Sequence, residues 1–324
     1  MEGSKTFSKD FMKQHKIPTA AYENFTDYGA AKNYLDVVSH PVVIKADGLA
    51  AGKGVIIPKD SHEASKALES IMADHEFGEA GNSVVIEELL EGEEISILSF
   101  SDGKTILSLP PAQDHKRIGD GDTGPNTGGM GTYAPTPLVT KEQLEEIERT
   151  VLKPTIDGMA AEKMPFRGCL FTGFMMTKNG PKVLEYNVRF GDPESQSCLP
   201  LLNNDLADLI LACCDGTLSK HTLDISPLSA CTVVVAAGGY PGSYPKGTLM
   251  QVEAPKEADG VYVFHAGTSA SGNGELKTSG GRVIAATATG KDLKEAVQKA
   301  YKGVDCIKFE GMQYRKDIAQ RALR

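Results

Sequence analysis

The segment from 168 to 188 constrains the fold most. An apolar run through residue 177 meets the turn Asn179-Gly180, and a second run ends in Glu185-Tyr186-Asn187-Val188-Arg189. Asn-Gly between two strand-like runs predicts a hairpin. Alternation along its second strand places Glu185, Asn187 and Arg189 on one face and Leu184, Tyr186 and Val188 on the other. A carboxylate and an amide oxygen two residues apart are hard donors suited to magnesium, and a guanidinium beside them suits phosphate or carboxylate. By themselves these five residues fit a solvated edge strand with a salt bridge equally well.

A chain of 324 residues has room for more than one domain. Its 40% hydrophobic and 24% charged residues are ordinary for a soluble protein, and no apolar run reaches the roughly 18 residues of a membrane span. The net charge of -9 argues against general affinity for nucleic acid or anionic membrane, so any anionic ligand must be met by a local basic pocket. The six cysteines show no CxxC spacing, which fits a reducing cytoplasm. Cys213 and Cys214 lie in a helical pattern and read as packing residues rather than reactive thiols.

Along the chain, Phe7 and Phe11 mark a short amphipathic helix, and a second helix is expected over about 27–38. A strand at 41–45 leads through Gly48-Leu49-Ala50-Ala51-Gly52-Lys53-Gly54 into another at 55–57. Asp60 and Glu63 predict a capping box for a helix whose buried stripe is Ala64, Ala67, Leu68, Ile71 and Met72. Strands follow at 84–90, 94–100 and 105–109. Residues 113–136 are polar, glycine-rich and aperiodic, and predict one long functional loop. Thr140 and Gln143 open a long helix bent at Pro154. A helix over 205–215, stopped by Gly216, precedes a polar stretch. We therefore expect two units, 1–225 and 226–324. The second combines strands at 230–237, 248–253 and 261–266, Gly280-Gly281-Arg282-Val283, and a helix from Lys291.

The glycine loop fails as a P-loop because three residues, not four, separate its first glycine from Gly52-Lys53, and Gly54 replaces the hydroxyl residue. Small residues between two strands beside Lys45 and Lys53 still let backbone amides approach phosphate. Lys45 reads as a partly buried lysine facing an anion, or as a strand-end lysine snorkelling to water. Glu87, Glu88 and Glu94 either face water or flank a hinge that holds adenine and ribose. Asp114, Lys116, Arg117, Asn126, Thr127, Gly128 and Gly129 supply charge and donors to the long loop, which favours enclosure of a substrate over a bare surface loop. Asp192 and Glu194 follow the cation motif and offer carboxylates to an amine.

With these residues in place, the chain resembles the ATP-grasp superfamily and, within it, the phosphoribosylamine–glycine ligases. The likeness is carried by Gly3-Ser4-Lys5, the stretch 44–54, Asp114-His115-Lys116-Arg117, residues 124–131 and Arg189-Phe190-Gly191-Asp192-Pro193-Glu194, the last being the family-specific signature. The resemblance implies an α+β ATP-grasp fold with a mobile flap subdomain at about 20–89 and a β-rich C-terminal domain. It implies that Lys5, Lys45, Gly48, Gly52, Lys53 and Gly54 meet ATP phosphates, and that Glu87, Glu88, Leu90 and Glu94 hold adenine and ribose. Glu185 and Asn187 would bind Mg2+, with Mn2+ as a substitute. Lys45, Arg189 and Asp192 would be catalytic. Glycine and 5-phosphoribosylamine would be the substrates. Small residues near Gly173 stand where the wider superfamily often has another acidic ligand, which puts a second metal in question. The family normally begins with a separate dinucleotide-fold-like domain that nothing before Gly3 supplies. The expectation is that this domain is missing, and that a purine-pathway enzyme can be fused in the natural protein.

Overall fold

The computed structural model describes residues 1–48, 54–253, 259–272 and 274–324. The described residues between 22 and 88 pack around a small sheet of their own, called the small subdomain. Its four-stranded sheet runs Tyr22–Phe25, Val84–Glu88, Val42–Ala46, Val55–Ile56 in spatial order. Helices Tyr28–Val37 and Ser61–Met72 cover it. The second helix buries Ala64, Ala67, Leu68, Ile71 and Met72, the stripe read from the sequence. Asp60 caps it by accepting from Glu63 N at 2.8 Å. The expected reciprocal bond is displaced by one residue, because the Glu63 carboxylate accepts from Lys59 N instead.

The hairpin predicted around Asn179-Gly180 is Arg167–Thr177 paired with Gly180–Asn187. With Glu93–Asp102 and Ile106–Ser108 it forms an antiparallel central sheet. Alternation divides the faces of that sheet. Ile95 and Ile97 join a core with Phe11, Met12 and Ile156, whereas Leu98 and Phe100 join one with Leu209 and Cys213. Helix Lys5–Gln14 packs on the first core and Leu206–Asp215 on the second. The latter ends at Gly216 with φ 74°, a left-handed conformation that glycine adopts without strain.

The simple alternation expected over 184–188 is corrected by a bulge. Gly173 pairs with Glu185 but Phe174 pairs with Val183, so Leu184 is the extra residue. Val188, expected on the apolar face, is 46% exposed. Around Pro154 the helical backbone runs on without a break. A π-turn at Glu148–Leu152 leads directly into the helix Lys153–Ala161, and it lies just before Pro154, whose missing N–H interrupts the regular ladder of bonds.

Residues 113–136 are not one loop. They contain the strands Gln113–Asp114, Arg117–Gly119, Thr123–Asn126 and Gly131–Ala134. The partners that order them are remote. Arg315, 1% exposed, donates to Asp122 and Asp317 at 2.7 Å, and Gly121 N donates to Asp317 at 2.8 Å. The C-terminal sheet reaches into this region. Its order is Val261–His265, Arg282–Gly290, Ser229–Ala237, Gly131–Ala134, Gln113–Asp114, with Met312–Gln313 also on Ser229–Ala237. Ser229–Ala237, just past the expected boundary near 225, thus pairs with a strand a hundred residues earlier, Gly131 opposite Val233. Helix Leu293–Asp305 covers this sheet through Ala296, Ala300 and Val304.

Candidate functional site

A cleft of about 450 Å³ opens between the small subdomain, helix Lys5–Gln14 and the end of strand Gly180–Asn187. That volume lies within the range of small-molecule sites. Lys5, Lys45, Gly48, Gly54, Glu87 and Glu185 line it, as do Asn187 and Arg189. The structure thus brings these eight sequence-derived residues together. Gly52 and Lys53 lie outside the described residues.

Ser4 caps helix Lys5–Gln14, accepting from Phe7 N and donating to Asp47 Oδ1 at 3.0 Å. Asp47 also accepts from Thr6 N at 2.7 Å and Ser83 Oγ at 3.2 Å. Burial opposes the charge on Asp47, but these donors outweigh it and hold its pKa below the ordinary carboxylate value. Lys5 Nζ donates to Ala46 O at 2.9 Å and Gly48 O at 3.0 Å, so helix and glycine turn are tied from both sides. Burial lowers the Lys5 pKa. Gly48 permits a close approach: a Cβ there would stand 2.8 Å from Ala80 Cβ.

Glu87 is shared by two lysines. Lys9 Nζ lies 2.9 Å from Oε2 and Lys45 Nζ 2.9 Å from Oε1. Lys45 also reaches Leu184 O at 3.3 Å, the bulge residue. Sequence reasoning missed Lys9, although it follows Lys5 by four residues and therefore shares its helix face. It missed Ser8 too, whose buried hydroxyl on the cleft wall has no partner among the described residues.

Glu185 and Asn187 present a carboxylate and an amide at the cleft mouth. Magnesium commonly takes one or two protein oxygens and completes its shell with water and phosphate, so this pair fits it. Among the described residues, no cluster of three or more His, Cys, Asp or Glu side chains has metal-binding geometry. Arg189 is 57% exposed in its side chain. It donates to Glu2 at 3.3 Å, Phe190 O at 2.9 Å and Asn187 Oδ1 at 3.4 Å.

The other expected residues lie elsewhere. Glu88 accepts from Lys182 at 2.9 Å and Ala21 N at 3.0 Å, linking the small subdomain to the central sheet. Leu90 and Glu94 are absent from the cleft lining. Glu94 pairs with Lys116 in a second charged group that includes Asp114 and Glu194. Burial and the neighbouring Asp114 charge raise the Glu194 pKa to about 8, and burial also raises Asp114. Partial burial opposes the Lys116 charge, but Asp114, Glu94 and Glu185 outweigh it and raise its pKa. Its side chain is 43% exposed, so water screens much of that attraction. His115 stays neutral, lowered to about 3 by burial and by Arg321 and Arg315, and accepts from Ala319 N at 3.2 Å.

Arg117 donates to Gly124 O at 2.7 Å and lies opposite Asn126 in an exposed ribbon. Thr127 Oγ1 donates to Lys116 O at 2.8 Å. Gly128 and Gly129 are held by Arg282, which donates to Gly128 O at 2.9 Å, Asp192 O at 2.6 Å and Asp192 Oδ2 at 3.0 Å. Arg282 was legible only as part of a glycine-rich tetrapeptide. Its partners lie 90 and 154 residues away.

Family comparison covers both halves of the chain. Residues 3–195 match the model described as phosphoribosylglycinamide synthetase, ATP-grasp (A) domain, and residues 230–321 match the C domain of the same synthetase. A bifunctional purine biosynthetic protein of Schizosaccharomyces pombe is 59% identical over all of this chain and 41% of its own length. The chain therefore spans less than half of such fungal relatives. A phosphoribosylamine–glycine ligase of Vibrio vulnificus is 49% identical over all of this chain and 75% of its own. The crystal structure of phosphoribosylamine–glycine ligase from Thermotoga maritima superposes with a TM-score of 0.89 at 36% identity, covering 98% of this chain and 79% of that one. A biotin carboxylase domain from Hydrogenobacter thermophilus gives 0.75 at 18% identity over 97% of this chain and 67% of its own, a likeness of fold alone.

Proposed function

Because the chain belongs to the phosphoribosylglycinamide synthetase family, we propose that its ATP-grasp fold binds ATP in the cleft and joins glycine to 5-phosphoribosylamine. The supporting observation is the convergence of Lys5, Lys45 and Gly48 with Glu185 and Asn187 on that one cleft. Lys5, Lys9, Lys45 and Arg189 line it against Glu2, Glu87 and Glu185, and this cationic surplus suits a polyphosphate. Glu185 and Asn187 would hold one magnesium ion, which when bound neutralises phosphate charge.

In this reading, the glycine carboxylate attacks the γ-phosphorus of ATP, releasing ADP and forming glycyl phosphate. Lys45 and Arg189 stabilise charge on the transferred phosphoryl group. The amine of phosphoribosylamine then attacks the carbonyl carbon, expelling inorganic phosphate and losing a proton to give glycinamide ribonucleotide. Asp114, Lys116 and Glu194 form the charged wall beside which glycine and the amine would meet, with Asp192 orienting the amine. A neutral Glu194 can donate one hydrogen bond and accept another.

Phosphate release measured with ATP and magnesium, with and without each substrate, tests this. Release that requires both glycine and phosphoribosylamine supports the ligase. Nucleotide binding with no release under any combination would reduce the chain to a nucleotide-binding module.

A further inference from the structure

The buried ion group at the back of the cleft holds two ammonium groups on one carboxylate. The side chains of Lys9 and Glu87 are each 2% exposed, and that of Lys45 is 9% exposed. One carboxylate cannot neutralise both cations, so the group keeps a net positive charge where water screens little. The two lysines are anchored unequally. Lys9 Nζ also donates to Thr19 Oγ1 at 2.7 Å and lies 5.6 Å from the centre of the Tyr22 ring. Thr19 in turn donates to Val183 O at 2.7 Å, which fixes Lys9 to the strand bearing Glu185 and Asn187. Among the described residues and apart from Glu87, Lys45 has only the 3.3 Å contact to Leu184 O.

We propose that Lys9 is a positioning residue: by sharing the Glu87 carboxylate, it leaves the Lys45 ammonium partly uncompensated and available to a polyphosphate in the cleft. This rests on the nucleotide reading above. With Lys9 absent or neutral, the whole Glu87 charge falls on Lys45, and the cleft loses its surplus cation.

The surroundings of Lys9 make this balance sensitive to pH. Lys5 and Lys13 lie one turn away on its own helix, Tyr22 with its partner Asp10 lies on one side, and Glu87, Glu88 and Lys45 face it from the small subdomain's sheet. Burial outweighs Glu87 and lowers the Lys9 pKa to about 8. As pH rises through that value Lys9 loses its proton, and affinity for polyphosphate falls.

The test is calorimetry of a non-hydrolysable ATP analogue with magnesium, between about pH 6.5 and 9.5, on the wild-type chain, Lys9→Met and Lys9→Arg. At neutral pH, Lys9→Met should bind about tenfold more weakly, the effect of one partly screened charge. Wild-type affinity should fall above about pH 8, whereas Lys9→Arg, which keeps its proton, should carry the fall to higher pH. Lys9→Met at wild-type affinity, or wild type and Lys9→Arg falling at the same pH, overturns the role of Lys9. A wild-type chain that binds no nucleotide at any pH overturns the nucleotide reading, and this inference with it.

Discussion

Arg282 Nη2 donates to Asp192 Oδ2 at 3.0 Å while its Nη1 donates to Asp192 O at 2.6 Å and Gly128 O at 2.9 Å, so one side chain of the C-terminal region holds two expected substrate segments together. Arg282→Met should release both segments. Under the ligase reading, the KM values for glycine and the amine should rise by roughly tenfold or more, with nucleotide affinity nearly unchanged, because only the substrate wall loses its brace. Steady-state kinetics beside nucleotide calorimetry checks this, and equal losses in both would contradict it.

Glu185→Gln and Asn187→Ala should depress turnover far more than nucleotide affinity. Lys5 and Lys45 would still meet the phosphates, while the cation that aligns them is loosened. A loss of at least about 10–100-fold is expected, the range seen when even outer partners of a metal are removed. Wild-type turnover in either variant would remove the pair from the mechanism.

Glu194 gives a stability test. Its folded pKa of about 8 exceeds the unfolded value of about 4.3, so the native state binds more protons between those limits. Its contribution to stability is therefore full below about pH 4.3 and is lost as pH rises through 8. Urea midpoints at pH 5 and pH 8 should differ less in Glu194→Gln than in wild type. An unchanged difference would place the pH dependence on other groups.

The flap should respond to ligand. Lys5 ties Gly48 to the helix and Gly54 O accepts from Ala46 N at 2.8 Å, so a nucleotide bridging these parts would restrain them. Backbone hydrogen exchange at Gly48 and over residues 54–56 should slow when magnesium and an ATP analogue are added. Unchanged exchange at saturation would count against a phosphate lid.

Local signals were legible where local physics decides. The stripe of helix Ser61–Met72, the stop at Gly216 and the hairpin at Asn179-Gly180 each depend on residues within a few positions. The strands within residues 113–136 were hidden because Arg315, Asp317 and Arg282 hold that region from far along the chain. The nine-residue strand Arg282–Gly290 was hidden for a related reason. Its run of alanines and threonines shows no polar alternation, since residues 283–290 are all buried. In the cleft, residue types singled out Glu185, Asn187 and Gly48, which do meet there, but not that Lys9 shares Glu87 with Lys45.

The pairing of Ser229–Ala237 with Gly131–Ala134 bears on how the chain can be divided. A fragment cut near residue 226 would keep its helix and most of its strands, yet residues 230–233 would lose their neighbour and show a row of bare amides and carbonyls. Such an edge is a template for another copy of itself. The excised C-terminal half should therefore self-associate through this border, and a peptide spanning residues 131–134 in tandem with its flanks should compete for it.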